Sequence, residues 1–451
     1  MTQAISTGAS AHEALKASAK SERRRGWAMS FLLFFLALAG LLVSSARLGI
    51  HPFGSSDANH FVYQAYSLLH GRLDIPQFTS TDIILVNGKH YIVYPPFPAI
   101  VMMPFVAIFG LSFSDIFFTQ VCSAINIVLL FWLLETLRFS GRSRRTFQQN
   151  VALCIFFFFG TISFFLSLGG TMWFTAHIVG ATCTLAFMLF AFKRRYLLSA
   201  LCLGCAFLTR APAVAGLPLL LYLMLEEHTG ATTLKELLKR ARSLPWRSFA
   251  LALTPLLVIL VIFLARNALA FGSPWETGYT LLIQQKYPAV HYGVISPHYI
   301  WSDIVANFLS FPAVKFTSPF DTLPQIDLLN GGYGISVFFT TPIFLFLFFA
   351  RNRTPSTLRK VLWIVVGLIT AFTLLYHAAG WYEFGARYLF EGYPYAFVLL
   401  AISEIEMGWR FYLLGLFGIL INFAGAQEFW MSFYKNGPYI PSLLHQPAPW
   451  L

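Results

Sequence analysis

Charged residues are scarce in this sequence. Asp, Glu, Lys and Arg make up 11% of the 451 residues, and 57% are hydrophobic, whereas a soluble domain carries roughly 25% charged residues. The mean hydropathy is +0.65. A chain with so little charge cannot cover a surface that faces water, which excludes a soluble globular protein.

Cysteine is scarce as well, and its placement favours neither metal nor redox chemistry. All five cysteines lie inside apolar runs, and the pair Cys202 and Cys205 has no second C-x-x-C motif beside it. We therefore expect small buried thiols and no disulfide.

Acidic residues are fewer than basic ones, 19 against 31, which gives a net charge of +12. The basic residues lie between apolar runs, where a membrane protein keeps its cytoplasmic charge. The excess charge therefore does not indicate a nucleic-acid partner.

Long apolar runs are abundant, and several approach or exceed the roughly 20 residues that cross a bilayer as a helix. They lack the alternation of spanning β-strands. The first run is longer than the apolar core of a signal peptide, so we expect it to remain as the first helix. The clear runs are 27–46, 116–134, 151–168, 249–265, 361–379 and 411–424.

The basic clusters predict the orientation of these helices. Of the 31 Lys and Arg residues, 22 fall in segments that would share one side of the membrane with the N-terminus, which places that end in the cytoplasm. Residues 97–111 are too short and too rich in proline to cross alone, so we interpret 97–137 as one crossing. Residues 47–96 and 266–332 then lie outside.

The predicted fold class is an all-α polytopic membrane protein with about eleven transmembrane helices. Its expected organisation is a cytoplasmic tail over 1–26, a first membrane module over 27–225, a cytoplasmic loop over 226–247, C-terminal membrane helices over 248–427 and a C-terminal tail over 428–451.

The first outside loop has recognisable local structure. Ser56 or Asp57 can cap a short helix that Gly71 ends, and Asp57, His60 and Gln64 would share one polar face of it. Asn87-Gly88 between two runs of apolar, β-branched and aromatic residues then predicts a β-hairpin. A loop of about 50 residues is long for a connector, which favours a functional surface.

At these residues the sequence resembles the GT-C superfamily of membrane glycosyltransferases, nearest to bacterial protein mannosyltransferases and aminoarabinose transferases. The resemblance covers most of residues 27–405. It is carried by SDANHFVYQAYSLLHGRL, YPPFPAI, LTRAP at 208–212, NALAFGSPWETGY at 267–279 and FGARYL at 384–389. One departure is the turn GGTMWFTAH, which lacks the second acidic residue of many members, so a two-carboxylate or metal-bridged site is disfavoured.

The resemblance implies an inverting glycosyltransferase in the bacterial inner membrane with an extracytoplasmic active site. The donor would be a hexose or pentose on a polyprenyl phosphate, and the acceptor a glycolipid, an envelope glycan or a protein. No cofactor is implied. A divalent metal held by Asp57, His60 and His177 is a less favoured alternative.

Such chemistry needs a base for the acceptor hydroxyl and cations for the leaving phosphate. Asp57 is the predicted base, with a helix cap as the alternative reading. Arg210, Arg387 and Lys89 are the predicted phosphate ligands; interfacial arginines that snorkel to lipid and a solvated hairpin tip are the alternatives. The predicted substrate-binding residues are His60, Gln64, Tyr94, His177, Glu276, Glu383 and Tyr388.

A transporter or lipid flippase is the competing interpretation. Such proteins usually carry charged residues within their helices and an internal repeat, and neither is evident here. A structural or assembly role stays open, as do the sugar, the acceptor and the oligomeric state.

Overall fold

The computed structural model describes residues 2–76, 82–230, 236, 239–240, 246–288, 290–315, 325–350, 356–377 and 383–436. These residues form an α-helical protein with two small hairpins, as the predicted fold class requires. The helices are α1 Thr2–Arg47, α2 His60–Leu69, α3 Phe97–Phe109, α4 Asp115–Phe139, α5 Phe147–Phe159, α6 Ser163–Ser167, α7 Met172–Phe192, α8 Tyr196–Phe207, α9 Leu217–Thr229, α10 Trp246–Phe271, α11 Tyr279–Lys286, α12 Ile300–Ile304, α13 Val337–Thr340, α14 Leu345–Phe349, α15 Thr357–Thr373, α16 Tyr393–Ile402 and α17 Trp409–Asn436.

Five helices among the described residues are long and apolar enough to cross a membrane: Lys20–Arg47 within α1, then α4, α7, α10 and Trp409–Ser432 within α17. Other apolar stretches are broken into shorter helices. α3 has 13 residues with Pro104 inside, so it has the half length that the sequence predicts. A short helical turn, Gly110–Ser112, follows it.

The central helices are joined by polar contacts as well as by apolar packing. The Asn126 side chain on α4 donates to the Ile178 carbonyl of α7 over 3.0 Å, and the Thr119 and Thr175 hydroxyls lie 2.7 Å apart. A buried polar group without such a partner would be costly in an apolar surrounding. These bonds therefore help fix α4 against α7.

The first loop contains the predicted helix and hairpin. β1 (Ile83–Val86) and β2 (Lys89–Ile92) pair antiparallel, with Val86 opposite Lys89. Asn87 and Gly88 have φ of 49° and 74°, the left-handed conformation that a two-residue hairpin turn needs. The predicted hairpin is thus confirmed, together with its turn.

The predicted cap of α2 is wrong. Asn59 precedes the helix and makes no capping bond. The backbone N–H and hydroxyl of Ser56 instead donate to the Asp115 carboxylate at the start of α4. Ser56 therefore ties the loop to a membrane helix instead of starting α2.

The segment after α10, called the outside segment for its predicted side of the membrane, lies against the hairpin. Gln285 on α11 exchanges two 3.0 Å hydrogen bonds with the backbone of Leu85. Further along, Ile295 forms a β-bridge with Tyr376 after α15. A second hairpin, β3 (Ala313–Lys315) with β4 (Gln325–Asp327), follows in the same segment.

The C-terminal helix extends beyond its predicted end. α17 continues to Asn436, and Trp430 is fully buried against Phe165. The helix therefore runs into the segment predicted as a tail over 428–451, where an aromatic pair packs in the core. Likewise, α1 begins at Thr2, within the predicted tail 1–26.

Candidate functional site

Two of the predicted arginines meet around one tyrosine ring. Arg210 follows α8 and Arg387 begins a short helical turn, Arg387–Gly392, before α16. Their guanidinium carbons lie 5.5 Å and 5.0 Å from the centre of the Tyr388 ring. Arg387 also donates to the Tyr388 hydroxyl over 3.2 Å. Residues 177 positions apart in the chain thus share one site.

Each of these arginines is paired with a buried carboxylate. Arg387 Nε lies 2.7 Å from Glu383 Oε2. Arg210 Nε contacts Glu391 Oε1, and the same oxygen lies 2.9 Å from His177 Nδ1. The two ion pairs neutralise most of the local charge, so an incoming anion competes with a carboxylate for either guanidinium.

Tyrosines surround this pair of ion pairs. Tyr376 packs on Tyr388 with ring centres 5.1 Å apart, and Tyr94 packs on Tyr279 at 6.1 Å. Tyr279 lies within electrostatic range of both Arg210 and Tyr388. We call Tyr94, Tyr279, Tyr376 and Tyr388 the tyrosine cluster. Aromatic rings with hydroxyl groups can pack on a sugar ring and also hydrogen-bond to it.

Gly278 allows Tyr279 to take this position. Its φ is +90°, and a Cβ there would lie 2.9 Å from the Phe271 ring and 3.0 Å from the Val93 side chain. Glycine is the residue that accepts both the positive φ and the close approach. The backbone therefore passes between α10 and the hairpin before α11 begins.

Asp82 forms a second centre beside the tyrosine cluster. Its buried carboxylate accepts hydrogen bonds from Tyr94 Oη at 3.1 Å, Trp173 Nε1 at 2.7 Å and Tyr287 Oη at 2.7 Å. The donors come from the end of the hairpin, from α7 and from the outside segment. Asp82 therefore holds these three parts of the structure together.

Arg266 is a third buried arginine, near the end of α10. Its guanidinium donates to the Ile92 carbonyl over 2.7 Å and to Asn267 Oδ1 over 3.2 Å, and it lies 4.7 Å from the centre of the Phe271 ring. It also lies within electrostatic range of Tyr279. In the described part of the chain no carboxylate lies within 4.0 Å of it, so its charge is uncompensated.

Of the other predicted site residues, some are buried near the tyrosine cluster and others are exposed. His60 and Gln64 are buried under the hairpin, and Gln64 donates to the Tyr94 carbonyl over 3.4 Å. Asp57 is exposed and does not share their surroundings, so the predicted common polar face of α2 is wrong. Lys89 is exposed on the hairpin, as the alternative reading has it. Glu276 accepts from the Gly278 N–H over 2.7 Å.

Burial keeps His60 neutral. Desolvation lowers its pKa to about 4, although the nearby Asp82 carboxylate acts in the opposite direction. At neutral pH the imidazole therefore does not neutralise Asp82.

Asp303 is a buried carboxyl of the outside segment. Burial and the Glu383 carboxylate raise its pKa from 3.8 to about 8. Its Oδ2 has no hydrogen-bond partner among the described residues. At neutral pH this side chain is mostly a protonated acid.

We expect Asp303→Asn to stabilise the protein more at alkaline pH than at neutral pH. Because the pKa is raised by folding, the folded state holds a proton that the unfolded state has lost. Stability then falls as pH rises toward 8, by at most ~1.4 kcal/mol per pH unit. The amide removes this dependence. Thermal unfolding in detergent on either side of pH 8 measures the gain, and an equal gain at both would contradict the assignment.

Sequence reasoning missed Asp82, Arg266, Glu391 and two members of the tyrosine cluster, Tyr279 and Tyr376. Arg266 directly follows an apolar run, and Glu391 lies four residues after Arg387 between apolar residues. A charged residue at the end of an apolar run, or between apolar residues, is the signal that could have indicated Arg266 and Glu391. No group of three or more His, Cys, Asp or Glu side chains that could hold a metal occurs among the described residues.

No family model matches the chain, and no curated protein matches it. The structure is similar to the crystal structure of ArnT from Cupriavidus metallidurans bound to undecaprenyl phosphate, with a TM-score of 0.48 and 16% sequence identity. The match covers 89% of this chain, which spans 63% of the length of ArnT. At this level of similarity no residue role is transferred from that protein.

Proposed function

We propose that this protein is a membrane glycosyltransferase that moves a sugar from a polyprenyl phosphate to an acceptor outside the cytoplasm, with inversion at the anomeric carbon. The acceptor would be a glycolipid, an envelope glycan or a protein. The protein would reside in the inner membrane of a bacterium with its N-terminus in the cytoplasm.

The uncompensated charge of Arg266 is the observation that carries this proposal. A guanidinium binds two phosphate oxygens at once. Because a buried charge without a partner is unfavourable, an anion bound to Arg266 would stabilise it. Its position near the end of an apolar helix lets a phosphate bind there while a prenyl tail stays in the lipid. Phe271 and the apolar surface of α10 supply neighbours for that tail.

In this proposal the tyrosine cluster binds the sugar beside this phosphate. Tyr279 lies within electrostatic range of both Arg266 and Arg210. In the proposed reaction the acceptor oxygen attacks the anomeric carbon, the bond from that carbon to the phosphate oxygen breaks, and the bond electrons leave with the phosphate. Arg266 would stabilise the charge that develops there.

Sugar transfer by the purified full-length protein in liposomes tests the proposal. A labelled polyprenyl-phosphate sugar should yield free polyprenyl phosphate and a labelled acceptor when an envelope lipid extract is supplied. A soluble nucleotide sugar should give no product. Equal use of the nucleotide sugar would reject the lipid-linked donor. Movement of the intact donor lipid across the bilayer without transfer would favour the flippase instead.

A further inference from the structure

We propose that Asp82 is the catalytic base of this site, which rests on the proposed sugar transfer. The predicted base, Asp57, is exposed and lies before α2, whereas Asp82 is buried beside the tyrosine cluster. The two carboxylates belong to the same outside loop, 25 positions apart. A catalytic base must lie beside the bound substrate and be held in position. Asp82 is buried and hydrogen-bonded, whereas Asp57 is exposed.

The hydrogen bonds of Asp82 leave one position open. A carboxylate has about four lone-pair sites on its two oxygens. Among the described residues, Tyr94 and Trp173 donate to Oδ2, while Tyr287 alone donates to Oδ1. The remaining site on Oδ1 can accept a hydrogen bond from an acceptor hydroxyl, and the three existing bonds fix the direction from which that hydroxyl must approach.

The charges around Asp82 fit a base better than a salt bridge. No described ion pair includes it, and His60 nearby is neutral because burial lowers its pKa to about 4. Arg266 likewise has no carboxylate within 4.0 Å among the described residues. Tyr279 lies within electrostatic range of both Asp82 and Arg266, so a carboxylate and a guanidinium that form no described ion pair both act on the same side chain.

In the proposed reaction Asp82 acts on the acceptor and Arg266 acts on the leaving phosphate. The acceptor hydroxyl gives its proton to Asp82 Oδ1 as its oxygen bonds to the anomeric carbon. The bond from that carbon to the phosphate oxygen breaks, and its electron pair leaves on the polyprenyl phosphate beside Arg266. The proton on Asp82 then passes to outside water, which restores the carboxylate.

A clamp that only fastens the hairpin to α7 and the outside segment is the structural alternative. Asp82→Asn separates the two roles, because the amide keeps the size and can still accept from Trp173 and Tyr94 while it cannot take the proton. Losing a general base typically lowers a rate by ~10²–10⁴-fold. The clamp alternative predicts instead a fall in stability and in donor affinity.

The experiment measures transfer, affinity for polyprenyl phosphate and thermal unfolding of the full-length protein in liposomes or detergent. We expect Asp82→Asn to lose transfer by the factor above, with affinity and unfolding temperature close to the parent. Added formate should restore part of the activity of Asp82→Ala. Asp74→Asn, a carboxylate of the same loop that pairs with Arg72, is the matched control and should transfer normally.

The outcomes distinguish this inference from the proposed function. Transfer at the parental rate by Asp82→Asn would overturn the inference alone, as would loss of transfer in Asp57→Asn with Asp82→Asn active. Lower donor affinity or stability of Asp82→Asn in step with its rate would assign the clamp role. Absence of transfer by the parent protein would instead reject the proposed function.

Discussion

Replacing Arg266 by Gln is expected to weaken binding of polyprenyl phosphate by roughly ten- to a hundredfold. A hydrogen bond to a charged group contributes ~1.5–3 kcal/mol, and 1.4 kcal/mol corresponds to a factor of ten in affinity. Gln keeps a donor for the Ile92 carbonyl but not the positive charge. Lys keeps the charge without the planar fork, so Arg266→Lys should bind with intermediate affinity.

Equilibrium binding of a fluorescent short-chain prenyl phosphate to the protein in nanodiscs measures this effect. Arg47→Gln is the matched control, because Arg47 is an exposed arginine at the end of α1 and reports any general attraction of the surface for an anionic lipid. Unfolding temperatures show whether loss of the bond to Ile92 has disturbed the hairpin. Parental affinity in a well-folded Arg266→Gln would contradict the assignment of Arg266 to the phosphate.

The local features of the first loop could be predicted because their causes are local. Asn87 and Gly88 adopt the positive φ values that the hairpin turn needs, and the residues on either side pair as expected. The cap of α2 failed for the opposite reason. Ser56 could bond either to the start of α2 or to the Asp115 carboxylate, 59 positions away. In the structure it bonds to Asp115.

The resemblance implied that Arg210 and Arg387 act at one site. It did not indicate Asp82 as the carboxylate of that site. Asp82 is defined by donors 12, 91 and 205 positions away, and no periodicity in one segment indicates such a meeting. Asp57 attracted the prediction because it stands at a helix start in a familiar motif. Its exposure is a tertiary property that the motif does not contain.

The pairing of Glu391 with Arg210 leads to the second large effect, a loss of stability in Glu391→Gln. Glu391 is buried and its Oε1 contacts both Arg210 Nε and His177 Nδ1. Removing one partner of a buried ion pair typically destabilises a protein by ~3–5 kcal/mol, because the other charge stays buried and unpaired. Thermal unfolding in detergent should show this loss. Glu227→Gln, which breaks the more exposed pair with Arg194, should cost no more than ~1 kcal/mol.

The same change should raise the affinity for polyprenyl phosphate while it lowers stability. In the parent protein Glu391 occupies the guanidinium of Arg210, so a phosphate must displace a carboxylate to reach it. In Glu391→Gln that guanidinium becomes a second uncompensated cation within electrostatic range of Tyr279. A structural ion pair remote from the ligand would give the loss of stability without the gain in affinity. Affinity that is unchanged in Glu391→Gln and in Arg210→Gln alike would therefore remove Arg210 from the phosphate site and leave Arg266 as its ligand.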